Sequence, residues 1–245
     1  VNSPLEPSSG RLLDDGRLRG VVPTLQALET SKVVILGHQS RPGKSDFTSM
    51  SKHCERLSNI LGRPIKFVPD VSGDKAIEEI EKMSDGEIIF LDNVRGNEEE
   101  YGVKYSSNKD TENADIVARL SAVSDVFVTD AFAAAHRRSP TLTGFTNSIP
   151  CIAGILMEKE MRSLRKALKD PPSPYLAILG GAKCDDSVRV ALNLISKGEV
   201  DRIAFVGVTG NLMLWIDGND IGERNRGFIR NTLGDDFEIA WEMAE

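Results

Sequence analysis

Lys32-Val33-Val34-Ile35-Leu36-Gly37 is a continuous β-branched run with no charge after its first residue. A half-exposed strand would alternate apolar with polar side chains. This run therefore reads as a strand buried on both faces of a parallel sheet. Outward from it, Asp46 to Leu61 sets Phe47, Met50, Cys54, Leu57, Ile60 and Leu61 at helical spacing, closed by Gly62 and Arg63-Pro64. Ile65 to Val68 is a short strand, Lys75 to Met83 a helix through Ile77 and Ile80, and Glu87 to Leu91 a second buried strand. Asp115 to Val123 is helical, and Val126 to Thr129 is a strand ending at Asp130. Strands alternating with helices in this way predict an α/β fold: a three-layer, doubly wound, Rossmann-like parallel sheet.

The character of the sequence changes further on. Ile152 to Lys169 contains a long helix with Leu156, Met157, Met161, Leu164 and Leu168 on one side, and Pro171-Pro172-Ser173-Pro174 ends it rigidly. A second series then starts: strand Tyr175 to Leu179, helix Asp185 to Lys197, strand Arg202 to Val206. The residues after the prolines are too few for a companion of the first domain's size. The expected organisation is a domain over 1–152, a connecting helix and linker over 153–171, and a partial second α/β domain over 172–245. The start carries no signal segment, and Trp241 to Glu245 reads as an uncapped helix, so both ends are expected to continue.

Composition narrows the function. The 245 residues are 40% apolar, and no apolar run approaches the length of a membrane-spanning helix. Thirty Lys and Arg against 37 Asp and Glu leave a net charge of −7, which argues against a general nucleic-acid binder. Cys54, Cys151 and Cys184 are too few and too far apart for a disulfide framework and fit a reducing cytoplasm.

Ligands of a doubly wound sheet sit beyond the carboxyl ends of its strands. There the sequence places His38-Gln39-Ser40-Arg41, Asp92-Asn93-Val94-Arg95 and Asp130 through His136-Arg137-Arg138, with Arg17 upstream before a helix beginning near Val21. Arg side chains delivered from several strand ends suit a small, multiply charged anion, because the guanidinium fork binds carboxylate and phosphate oxygens in pairs. Gly43-Lys44-Ser45 imitates the tail of a P-loop, but His38 stands where the first Gly is needed. Gly180-Gly181 followed by Lys183 would let a phosphate approach the backbone beside a point cation. Other candidates have plainer readings. His53 is expected at the surface and Cys54 in the core, Cys184 lacks a His base, and Glu98-Glu99-Glu100 reads as a solvated acidic loop. Trp215 and Trp241 show no platform for stacking bases.

Together these segments resemble the phosphoglycerate kinase family. Asn2-Ser3-Pro4-Leu5 is similar to the end of its D-x-N-x-P motif, and Leu36 to Pro42 to its S-H-L-G-R-P loop. Leu91 to Arg95 is similar to L-E-N-L-R, Thr129 to Arg137 to N-D-A-F-G-T-A-H-R, and Ala177 to Lys183 matches A-I-L-G-G-A-K. The resemblance implies a two-domain hinge enzyme of glycolysis that moves a phosphoryl group between 1,3-bisphosphoglycerate and ADP, giving 3-phosphoglycerate and ATP, with Mg²⁺ carried by the nucleotide. It implies that Asn2, Arg17, His38, Arg41, Arg95 and Arg137 hold the phosphoglycerate, and that Arg17 and Lys183 serve the transferring group. Gly180, Gly181 and Lys183 would meet the nucleotide. Neither nucleic acid nor membrane is among the implied partners. Ser187 stands where many members carry a second phosphate-contacting Lys, and Gly207-Val208-Thr209-Gly210-Asn211 replaces a Gly-rich segment; both are similar to the archaeal branch.

The failed P-loop register carries a direct test. Lys44→Ala is expected to leave nucleotide affinity, measured by calorimetry, unchanged.

Overall fold

In a computed structural model of the chain, residues 2–169 and 171–244 are described; positions 1, 170 and 245, the last two within the expected linker and terminal helix, lie outside them. The chain divides into two compact units, Val1–Met161 and Arg162–Glu245.

The first unit begins with short helices α1 (Gly16–Gly20) and α2 (Val22–Ala27), then β1 (Val33–Gly37), α3 (Ser51–Leu61), β2 (Lys66–Val68), α4 (Asp74–Glu81) and β3 (Ile88–Asn93). It continues with α5 (Glu98–Tyr101), α6 (Asp115–Ser121), β4 (Phe127–Thr129), α7 (Pro140–Thr143) and β5 (Cys151–Ala153). Helix α8 (Ile155–Lys169) starts in this unit and runs on into the second. All ladders are parallel: β3 lies between β1 and β2, and β4 pairs with β5.

Alternate side chains of each strand feed opposite faces, which is how two helical layers come to cover one sheet. Ile35, Ile88 and Phe90 point into a core with Leu18, Leu25, Met50, Cys54 and Leu57 from α1, α2 and α3. Ile89, Leu91 and Val68 enter the opposite core with Ala76, Ile80, Ile116, Val117 and Leu120 from α4 and α6. Phe127 of β4 joins that second core and stacks on Phe145 at 4.5 Å between ring centroids. Phe90, at the centre of the middle strand, is wholly buried; such burial contributes about 2–3 kcal/mol.

Four sequence readings change. The helix expected from Asp46 starts at Ser51, because Asp92 accepts the Met50 N–H at 2.8 Å and residues 46–50 are spent closing the preceding loop. The three residues of β5 lie where a helix was expected to begin; Pro150 and the shortness of the run hid the strand. His53 is fully buried inside the first turn of α3 rather than on the surface. Glu98-Glu99-Glu100 is not a solvated loop. These residues begin α5, Glu99 accepts the N–H groups of Asp115 and Ile116 that start α6, and Glu100 accepts the N–H and hydroxyl of Thr141 in α7. A carboxylate on free helix N–H groups is favourable twice over, by hydrogen bonding and by the helix dipole.

The second unit holds β6 (Leu176–Gly180), α9 (Cys184–Lys197), β7 (Arg202–Val206), α10 (Gly207–Ile216), α11 (Glu223–Leu233) and α12 (Phe237–Ala244). β6 and β7 pair in parallel. The core gathers Cys184, Leu212, Ile229, Leu233 and Ala240. Trp215 meets Trp241 edge-on at 5.1 Å and packs beside Phe237, so both indoles, partly buried, pack against the core. Among the described residues no helix is long and apolar enough to cross a membrane.

Helix α8 is fastened at its start. Asp130, just after β4, accepts the Met157 N–H at 2.9 Å and the Thr24 hydroxyl at 2.6 Å, while Thr24 accepts the Ile155 N–H at 3.0 Å. Asp130→Ala is expected to destabilise the first unit by about 1–2 kcal/mol, the scale of a lost helix cap, read from chemical denaturation followed by circular dichroism.

Candidate active site

The strand ends of the first unit carry the candidate residues, and four loops bring them within electrostatic reach of one another. His38 follows β1 directly and is partly buried, with its Nε2 3.4 Å from Nη1 of Arg137. Burial pushes its imidazole pKa down to about 3, with Arg95, Arg137 and Arg17 adding to the shift in that order. Each of these guanidinium groups lies close enough to repel a proton on His38. Arg95 is lowered in turn, first by burial, then by Arg137, and also by Arg41. His38, Arg17, Arg41, Arg95 and Arg137 therefore form one cationic cluster, and its imidazole is neutral.

What holds these groups matters as much as their convergence. Arg17, exposed on α1, donates from Nη1 to the side-chain oxygen of Asn2. Arg95 donates from Nη1 to the Ser40 carbonyl and lies over the Tyr101 ring, 5.5 Å from its centroid. Arg137 faces His38. These partners are uncharged. Among the described residues none of the four arginines forms an ion pair with a carboxylate, whereas Arg19 and Arg56 nearby are both paired with Asp15. The cluster keeps its charge for something else. In a chain of net charge −7, an unneutralised group of guanidinium ions is a candidate anion site.

Not every basic residue of these loops joins. Arg138 turns away and donates to the Ser106 carbonyl at 2.8 Å, and His136 is exposed. The Arg137-Arg138 pair thus splits between site and scaffold, which the sequence alone did not foretell. Tyr101 and Ser40, which hold Arg95, were also missed. Tyr101 carries only a weak sequence signal, an aromatic residue six positions after Arg95; Ser40, whose positive φ of 54° only the structure shows, carries none.

In the second unit, Gly180, Gly181 and Lys183 occupy the turn from β6 into α9, with Lys183 exposed at the N-cap of that helix. The two glycines serve different needs. A Cβ on Gly180 would stand 2.7 Å from the Val206 carbonyl oxygen, so this glycine lets β6 approach β7. Gly181 has a φ of 123°, a conformation closed to other residues, with open space where a Cβ would stand. The Thr209 hydroxyl donates to the Gly181 carbonyl at 3.3 Å, and Ser187 reaches the Gly180 carbonyl at 3.4 Å. Burial raises the pKa of the Cys184 thiol, which fits an inert core cysteine.

Comparison with known proteins agrees with the motif reading. The profile of the family described as "Phosphoglycerate kinase" matches residues 1–242. A phosphoglycerate kinase of Methanocorpusculum labreanum is 41% identical over 239 residues, covering 98% of this chain and 58% of that protein. One of Methanothermus fervidus is 46% identical over 228 residues, covering 92% and 55%. The crystal structure of phosphoglycerate kinase from Pyrococcus horikoshii OT3 superposes with a TM-score of 0.93 at 36% identity, over 99% of this chain and 60% of that one. The Coxiella burnetii enzyme superposes with a TM-score of 0.69 at 28% identity, over 100% of this chain and 58% of that one. The chain belongs to the phosphoglycerate kinase family, and it spans somewhat over half the length of these relatives.

Two buried imidazoles make the first unit sensitive to acid. The pKa of His38 falls to about 3 and that of His53 to about 4, both chiefly through burial, against an ordinary value of 6.5. The unfolded chain therefore takes up protons that the folded chain refuses. Stability from these neutral rings is complete above pH 6.5 and is lost as pH falls from there toward 4 and 3. The melting temperature should drop over that window, and His38→Asn should flatten the slope relative to wild type.

Proposed function

We propose that this chain is the phosphoglycerate-binding part, with the start of the nucleotide-binding part, of an enzyme that reversibly transfers a phosphoryl group between 1,3-bisphosphoglycerate and ADP. Family membership supports the reading, and the observation that carries it is the set of four guanidinium groups with no carboxylate partner, three beyond strand ends of the first unit and one on α1. On this reading residues 1–152 bind the phosphoglycerate, 153–171 link the parts and 172–245 begin the nucleotide domain. The cytoplasm is the proposed location.

The chemistry explains why such a site needs no general acid. An oxygen of the ADP β-phosphate attacks the acyl phosphorus of 1,3-bisphosphoglycerate, forming a new P–O bond as the bond to the carboxyl oxygen breaks. The electron pair of that bond stays on the carboxylate. This leaving group is stable as an anion at neutral pH and requires no proton. The protein is left with positioning and with stabilising charge that spreads over the equatorial oxygens of the transferring group. Arg41, Arg95 and Arg137 are suited to fixed negative charge on the three-carbon acid. His38, held neutral, adds a hydrogen bond without further repulsion. Asn2 orients Arg17, whose exposed guanidinium would meet charge that develops during transfer.

Gly180, Gly181 and Lys183 are proposed to receive the nucleotide phosphates, Lys183 as the point cation. Magnesium would arrive coordinated by those phosphates as part of the substrate, neutralising charge between them. With Ser187 in place of a second lysine, more of that neutralisation falls to Lys183 and the metal.

Calorimetry with 3-phosphoglycerate tests the binding assignment: the chain should bind it, and Arg95→Ala with Arg137→Ala should abolish binding. No binding by the wild-type chain would reject the reading, and binding with no turnover would confine it to an acid-binding module. In the enzyme carrying this chain, Arg17→Ala should lower kcat by roughly a hundredfold or more, as loss of a preorganised charge-stabilising donor does, with a smaller change in KM. A large rise in KM at unchanged kcat would reassign Arg17 to simple holding.

A further inference from the structure

Between the two loops that carry His38-Arg41 and Arg95 lies the buried carboxamide of Asn93, only 5% exposed. The strands β1 and β3 are in register from Val33 opposite Ile88 to Ile35 opposite Phe90, then shift so that Gly37 stands opposite Asn93. Beyond this point the main chains part. The Asn93 side chain takes over the pairing: its Nδ2 donates to the Gln39 carbonyl at 2.8 Å and its Oδ1 accepts the Gln39 N–H at 3.2 Å. A side-chain amide offers the same donor and acceptor as a peptide group, so the ladder is prolonged through a side chain after the backbones have separated.

The same carboxamide has two further bonds. Its second N–H donates to the Thr48 carbonyl at 2.8 Å, closing the far end of the loop that begins at His38. Its oxygen also accepts the Arg95 N–H at 3.2 Å. Both donors and the acceptor are thus fully used, at a place too buried for water to replace them readily. On one side of Gln39 is His38; on the other are Ser40 and Arg41. Two residues after Asn93 is Arg95, whose guanidinium returns to the Ser40 carbonyl. Ser40 itself holds a φ of 54° and donates its hydroxyl to Asp46. A non-glycine residue in that region persists only where its surroundings enforce it.

We infer that Asn93 is a positioning residue of the anion site. It sets the separation between Arg95 and the His38-Arg41 loop and holds these mutually repelling groups in place before any ligand arrives. A loop free to relax would let the cations drift apart, and each binding event would have to reassemble them. Asn93 touches no substrate on this account, and acts through Gln39, Thr48 and Arg95. The inference deepens the reading of the site as one for phosphoglycerate and rests on it for the identity of the ligand.

Asn93→Leu removes the carboxamide at similar volume and without changing charge. Calorimetry with 3-phosphoglycerate is expected to show affinity weakened about ten- to a hundredfold, the range for leaving buried hydrogen-bonding groups unpaired. Backbone amide exchange over residues 38–41 in the ligand-free protein should quicken. Denaturation followed by fluorescence of Trp215 and Trp241, both in the second unit, should be unchanged. Weaker binding without faster exchange at 38–41, or faster exchange without weaker binding, would overturn the inference. If Asn93→Leu does not fold, Ser40→Ala removes the hydroxyl bond to Asp46 that helps hold the same loop and leaves the Ser40 carbonyl available to Arg95. It should weaken binding in the same direction by several-fold, and unaltered affinity would count against the inference. If the wild-type chain does not bind 3-phosphoglycerate, the proposed function falls; exchange at 38–41 then decides the tether alone, with no change in Asn93→Leu or Ser40→Ala rejecting it.

Discussion

Repulsion among guanidinium groups is the constraint around which the first unit is arranged. Placing Arg17, Arg95 and Arg137 within reach of His38, and Arg41 within reach of Arg95, is unfavourable in the free protein; burial first, and then these cations, depress the imidazole pKa. A carboxylate beside each arginine would relieve the repulsion and fill the site. Neutral partners do something else. The Asn2 amide, the Ser40 carbonyl and the Tyr101 ring orient two of these cations without cancelling them. The positive potential survives at the strand ends, where it can draw in and orient a multiply charged anion.

The surrounding scaffold makes such a cluster tolerable. Beneath it the sheet is packed on both faces, with Phe90, Ile89 and Leu91 of β3 almost without solvent contact. A rigid floor is needed because loops over a deformable core would spread under the repulsion they carry. The acidic and amide side chains near the strand ends are used mainly to fasten backbone. Asp130 and Thr24 hold the first turn of α8, Glu99 and Glu100 start α6 and α7, and Asp92 and Asn93 tie β3 to the loop after β1. The division of labour is clear: the four arginines of the cluster keep their charge free of carboxylates, while these acidic side chains are occupied by N–H groups of the frame.

Much of this was legible in the sequence. Strands announce themselves by unbroken apolar runs, and β1, β3, β6 and β7 fall where those runs predict. The arginines were found because a parallel sheet puts its strand ends on one edge, so periodicity alone says which loops are neighbours. What was not legible depended on contacts between distant segments. His53 has the composition of a surface residue on a charged helix, and only the packing of α3 buries it. The Glu98-Glu99-Glu100 run looks solvated until the starts of α6 and α7 are brought beside it. Strand β5 is too short to carry a pattern and exists because β4 offers it a partner.

The sequence by itself therefore determined the alternation of strands and helices, the edge on which cations gather and the family to which the chain belongs. These follow from local periodicity and from motifs whose residues are near neighbours along the chain. The tertiary structure alone decided which of two adjacent arginines, Arg137 or Arg138, faces the site, and which side chains hold the others without neutralising them. It also decided that Asn93 would join loops whose residues stand 54 positions apart. The physical reason is that charge compensation and hydrogen-bond satisfaction are set by distance in space, which spacing along the chain does not encode.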